Sequence, residues 1–109
     1  MSHDHDSDDL KVLAEFKKLA PAEFEGFVEL DSIVGRAAGK IPRKYREVIA
    51  LAVACTTQWP YCLDVHTRNA KKTGATREEV NEAALLAAAL RAGAATTHGA
   101  LAQKLFDRA

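Results

Sequence analysis

Apolar positions recur along this chain at helical spacing, and prolines and glycines divide them into segments. Leu10, Leu13, Phe16 and Leu19 fall on one stripe, with Asp8 or Asp9 placed to cap it. Pro21 suits the first position of a second helix: Glu23 and Glu25 lie at its positive end, and Phe24, Phe27, Val28, Asp31 and Val34 form a face. Gly35 or Gly39 ends that helix. A charged approach, with Pro42 near its start, opens a third. From Glu47 to Thr56 the chain is almost wholly apolar, which predicts a helix buried on all sides.

A break follows at Trp59-Pro60. Proline has no N–H to donate and clashes with a preceding turn, and it drives the residue before it out of the α region, so one helix ends there and another begins. The new helix carries Cys62 and closes at Gly74 after the basic pair Lys71-Lys72. Thr76-Arg-Glu-Glu79 has the form of a capping box and starts a fifth helix, Val80 to Arg91. Gly93 is expected to separate it from a sixth, Ala94 to about Arg108, bearing His98, Leu101, Leu105 and Phe106. No strand pattern or repeat is present. The expected fold is all-α with about six helices, residues 9–109 forming one domain behind an acidic, histidine-bearing, disordered tail at residues 1–8.

Composition narrows the function classes. Fifteen Lys and Arg balance fifteen Asp and Glu, so no electrostatic case for a nucleic-acid partner exists. No apolar run approaches the ~20 residues of a membrane span. Two cysteines without a signal peptide point to free thiols in a reducing, cytoplasmic setting. His3, Asp4, His5 and Asp6 carry metal-binding groups, but a frayed tail must be ordered before it coordinates anything, so no metal site is expected. No phosphate loop or nucleotide motif is present, and no cofactor is expected. The alanine-rich face of the fifth helix is a candidate contact for a second subunit.

Candidate chemistry gathers at the break. Cys62 falls in the first turn of a helix, where free N–H groups and the positive end of the dipole favour a thiolate. His66, four residues on, shares its face. A thiol with a titratable base one turn away is what an activated nucleophile requires, although a small buried cysteine and a structural histidine have the same spacing. Glu47 is an acid entering an apolar run. It needs a partner, either Arg43 or Arg46 in a salt bridge or a group in the interior. His98, beside Thr96 and Thr97, faces a cavity or settles on a backbone carbonyl.

Lys44-Tyr-Arg-Glu47-Val-Ile-Ala-Leu-Ala, Thr56-Thr-Gln-Trp-Pro-Tyr-Cys62-Leu-Asp-Val-His66-Thr, Gly74-Ala-Thr-Arg-Glu-Glu-Val and Ala87-Ala-Ala-Leu-Arg-Ala-Gly resemble the carboxymuconolactone decarboxylase family, in particular its AhpD-like alkylhydroperoxidase branch. In that branch a glutamate precedes a Cys-x-x-Cys-x-x-x-His motif. Glu47, Cys62 and His66 stand at the glutamate, second-cysteine and histidine positions. The resemblance implies a helical protein assembling as dimers, trimers or hexamers. It also implies thiol-dependent reduction of a small hydroperoxide or disulfide, an antioxidant peroxidase in which Glu47 and His66 relay protons.

Trp59 stands where the first motif cysteine belongs, so the redox pair is incomplete. Trp59 and Tyr61 are then expected to wall the pocket with His98, and an oxidised Cys62 needs an external thiol or a redox partner protein to regenerate it. Cys55 is the other thiol in the chain. In a continuous helix it would lie about 10 Å from Cys62, beyond the ~7 Å reach of a disulfide, so it serves as a resolving thiol only if the break draws the two together. Two further classes stay open: an acid–base enzyme of the decarboxylase type, and a non-catalytic oligomeric homologue that binds a small molecule.

Overall fold

Pro21 and Pro60 each occupy the first turn of a helix, and the chain between them is built around those starts. The computed structural model describes residues 7–109, and the candidate metal-binding residues His3 to Asp6 lie outside the described residues. A 3-10 segment, Ser7–Val12, leads into α1 (Leu13–Leu19), followed by α2 (Pro21–Val34), α3 (Arg43–Thr57), α4 (Pro60–Lys72) and α5 (Arg77–Arg108). Among the described residues there is no strand, and no helix is long and apolar enough to cross a membrane.

The first helix is shorter than its apolar stripe predicts. Its start is the unassisted Val12, with no side-chain cap, and the residues ahead of it wind as a 3-10 turn. Asp9 there accepts a hydrogen bond from the Tyr61 hydroxyl at 2.7 Å, which ties the segment to α4.

α3 lies between α4 and α5 and packs on both. Glu47, Leu51 and Ala54 form its buried stripe; Ala70 of α4, fully buried, and Ala87 of α5 face inward from the neighbouring helices. Small side chains at these positions let the backbones approach closely. The expectation of a helix buried all round is not met: Ile49 is 50% and Val53 52% exposed. Two neighbouring helices cover only part of a cylinder, and the rest of the apolar run faces outward. α2 packs only on α1 among the helices. Its carboxyl end is held to α3 by the Arg46 guanidinium, which donates to the carbonyls of Val34 (2.6 Å) and Ile41 (2.8 Å).

Gly74 ends α4 as expected. Its φ of +97° permits the Ala75 N–H to reach the Ala70 carbonyl (2.9 Å) and its own N–H that of Lys71 (3.2 Å), a Schellman closure. The capping box is also formed, with Thr76 Oγ1 accepting from the Glu79 N–H at 3.1 Å and Glu79 Oε1 accepting from the Thr76 N–H at 2.9 Å. Glu79 Oε2 meets Lys44 Nζ at 3.0 Å and joins the head of α5 to α3.

Gly93 does not separate two helices. α5 runs unbroken through it, because a single glycine costs a helix only about 1 kcal/mol and the alanine-rich flanks, with no proline nearby, outweigh that. Residues 88–109, more than half of α5, are exposed along their whole length. The radius of gyration is 18.0 Å, against ~13 Å for a compact chain of this length.

Candidate active site

The α3–α4 junction places the candidate residues. Gln58 adopts a left-handed conformation (φ 55°, ψ 52°) that turns the chain out of α3, and the Trp59 N–H closes the turn on the Ala54 carbonyl at 3.1 Å. A non-glycine residue there costs roughly 1–2 kcal/mol. Trp59 lies outside the helical region (φ −109°, ψ 85°), where the residue before a proline is driven, and α4 starts at Pro60. Cys62, His66 and Ala70 then repeat every fourth residue along one face, with Cys62 at its outer end and Ala70 in the core.

Glu47 on α3 is 4% exposed and meets this face. Its Oε2 lies 2.5 Å from His66 Nδ1, and its Oε1 accepts from Arg43 Nε at 2.9 Å. The two alternatives left open for Glu47, a salt bridge within its helix and a partner in the interior, both occur, one on each oxygen. Arg46 is committed elsewhere, to Val34 and Ile41. Because an ionised carboxylate only accepts, Nδ1 carries a proton and Nε2 is the nitrogen turned away from Glu47.

These groups line a cleft of about 790 Å3 whose walls include Glu47, His66, Cys62, Trp59, Tyr61 and Asp31. Cys62 is half-buried and a free thiol, and the hydrogen-bond partner of the His66 ring is Glu47, not the sulfur. The surroundings of the sulfur oppose the thiolate that a helix start favours. Burial pushes the Cys62 thiol up, and the negative charge of Asp31 adds to the shift.

Cys55 is also a free thiol but lies on an exposed face of α3 and does not line the cleft. His98 is not brought to the cleft either: on the exposed part of α5, its Nδ1–H donates to the Ala94 carbonyl at 2.9 Å, one turn back. Asp31 is the residue that sequence reasoning passed over. Its signal was present, since it is an acid on the otherwise apolar face of α2. Among the described residues no three His, Cys, Asp or Glu side chains are grouped to hold a metal.

The model of the carboxymuconolactone decarboxylase family matches residues 21–104, from the start of α2 to near the end of α5. The chain belongs to the carboxymuconolactone decarboxylase family. A Legionella pneumophila member of that family, solved in its apo form, is 34% identical, with a TM-score of 0.67 over 76% of this chain and 73% of that one. A solved protein from Methanobacterium thermoautotrophicum is 28% identical, with a TM-score of 0.71 over 81% of this chain and 95% of that one. The uncharacterized protein 4 in the cox locus of Paracoccus denitrificans is 36% identical over 96 residues, which are 88% of this chain and 86% of the relative. As a carboxymuconolactone decarboxylase family protein, the chain has the all-helical fold that its apolar spacing predicts.

Proposed function

We propose that this protein is an AhpD-like thiol peroxidase that reduces a small organic hydroperoxide or disulfide at Cys62, with His66 and Glu47 moving the proton. The observation that carries the reading is the Glu47–His66 hydrogen bond in the wall of a cleft that Cys62 also lines. A thiol pushed up by burial and by Asp31 does not ionise unaided at neutral pH, so it needs a base at hand. His66 Nε2 supplies one, and Glu47 stabilises the imidazolium that forms.

In the reaction, Nε2 takes the Cys62 proton as sulfur attacks the terminal oxygen of R–O–O–H. The O–O bond breaks, sulfur is oxidised by two electrons to a sulfenic acid, and the departing alkoxide takes the proton from His66 to leave as R–OH. An external thiol R′–SH then displaces water to form a mixed disulfide. A second thiol releases R′–S–S–R′ and restores Cys62. Trp59 holds no sulfur and Cys55 lies off the cleft, which supports resolution by an external thiol or a redox partner protein. Free cysteines fit a reducing, cytoplasmic setting. Exposed Leu90, Leu101, Leu105 and Phe106 on α5 support assembly into a homo-oligomer.

The test combines the purified protein with an organic hydroperoxide, excess small thiol and a sulfenic-acid trap. Expected are hydroperoxide loss above the thiol-only rate and a trapped adduct on Cys62, both abolished in Cys62→Ser. Neither signal in the wild type would end the reading. A second reading, proton-transfer chemistry of the decarboxylase type, is favoured by the completeness of the Glu47–His66 pair without any sulfur; it predicts an activity indifferent to Cys62→Ser and lost in His66→Ala.

A further inference from the structure

Glu47 divides its carboxylate between two partners of different kinds, and the charge count of the three groups depends on both. Arg43 is always charged. With a neutral imidazole, the set Arg43, Glu47 and His66 sums to zero. A second proton on His66 brings it to +1 beside a carboxylate that is almost fully buried. Without the guanidinium the same pair starts at −1, and the second proton brings it to zero. Arg43 therefore opposes the charging of His66 even though it never touches the ring.

The geometry is as specific as the charge. Arg43 opens α3 and Glu47 follows one turn later, so the guanidinium Nε reaches Oε1 at 2.9 Å while Oε2 is left for His66 Nδ1. We propose that Arg43 is a positioning residue of the site: by occupying Oε1 it turns Oε2 toward Nδ1–H and withholds the second proton, so that Nε2 keeps its lone pair for the cleft. The inference rests on the reading above in which His66 acts as the base.

Other charged and titratable groups face the same cleft and bear on His66: Asp31 from α2, Arg36 from the α2–α3 connection, Arg46 from α3, and Tyr61 and Cys62 from α4. Arg36 is bonded to the Ile33 carbonyl, Arg46 to the carbonyls of Val34 and Ile41, and Tyr61 to Asp9 of the 3-10 segment. On α5, Glu79 is taken up by Lys44. Arg43 is the cation bonded directly to the carboxylate that His66 uses.

The experiment is a pH titration of the His66 ring followed by its nitrogen and carbon chemical shifts, in the full-length protein and in Arg43→Met and Arg43→Gln. Glutamine keeps a hydrogen-bond donor for Oε1 but not the charge, and it serves if the methionine variant does not fold. The titration midpoint is expected to rise in either variant, the direction that loss of a positive charge beside the Glu47–His66 pair gives. At a pH near the wild-type midpoint, the Nδ1-protonated neutral form should give way to imidazolium. A folded variant that titrates as the wild type overturns the proposal and leaves Arg43 a structural ion pair. The readout needs no peroxide. Shifted titration in a protein that consumes no hydroperoxide would sink the peroxidase reading alone, and an unshifted titration in an active enzyme would sink this one alone.

Discussion

Asp31 of α2 and Cys62 of α4 share one cleft, and the carboxylate opposes ionisation of the thiol. The two residues lie on helices that do not pack on each other, so this electrostatic relation is set by the Arg46 bond that holds the end of α2 to α3 and by the 3-10 segment that links α1 to α4. Replacing Asp31 by Asn removes the charge and leaves the burial. Alkylation of Cys62 at neutral pH should then quicken, because the thiol gives up its proton more readily once the repelling charge is gone. Asp64→Asn, whose carboxylate pairs with Arg68 on the outer face of α4, should leave the rate unchanged. Equal rates for Asp31→Asn and wild type would mean that burial alone governs the thiol.

The same shift has a sign for stability. The folded chain holds the Cys62 proton more tightly than the unfolded chain does, so this contribution is intact at neutral pH and is lost as pH rises through the alkaline thiol range. Urea midpoints measured from neutral to alkaline pH should fall less in Cys62→Ala than in wild type. Parallel curves would refute the linkage.

Gly93 and Gly74 respond to alanine in opposite directions. Gly93 lies inside α5, and a methyl group added there would meet nothing within 4 Å, so Gly93→Ala should stabilise by about 0.5–1 kcal/mol. At Gly74 there is equal room, but φ is +97°, and Gly74→Ala should destabilise by about 1 kcal/mol or more. Chemical denaturation of the two variants side by side checks both signs. A destabilised Gly93→Ala would indicate that the helix needs a break there after all.

Trp59→Cys restores a thiol three residues before Cys62. On treatment with hydroperoxide in a Cys55→Ser background, the two thiols should be consumed together as an intramolecular disulfide, and turnover with a dithiol donor should rise. A free-thiol count that falls by one, with the adduct confined to Cys62, would show that the cleft no longer accommodates the pair.

Local punctuation was the most legible part of the fold. Pro21, Pro60, Gly74 and the Thr76–Glu79 box mark their helix boundaries because each acts through its own backbone or its near neighbours. Gly93 misled because a glycine is a weak breaker, whose effect is settled by the helix formers around it. The exposure of Ile49 and Val53 was illegible for a different reason: apolar spacing shows which residues seek burial, not how many neighbours one chain provides. At the site, the shared face of Cys62 and His66 was readable from their spacing, but that Glu47 meets it was not, because an apolar run does not show which of its sides the neighbouring helices cover. Asp31 required the tertiary path of α2, and the division of Glu47 between Arg43 and His66 required a register that no spacing within one helix reveals.

Glu79 splits its oxygens as Glu47 does, one closing the start of its own helix and one gripping Lys44. Lys44 is the covalent neighbour of Arg43, so the grip on the long terminal rod and the grip on the buried carboxylate are one peptide bond apart. Unwinding the first turn of α3 would therefore loosen both at once.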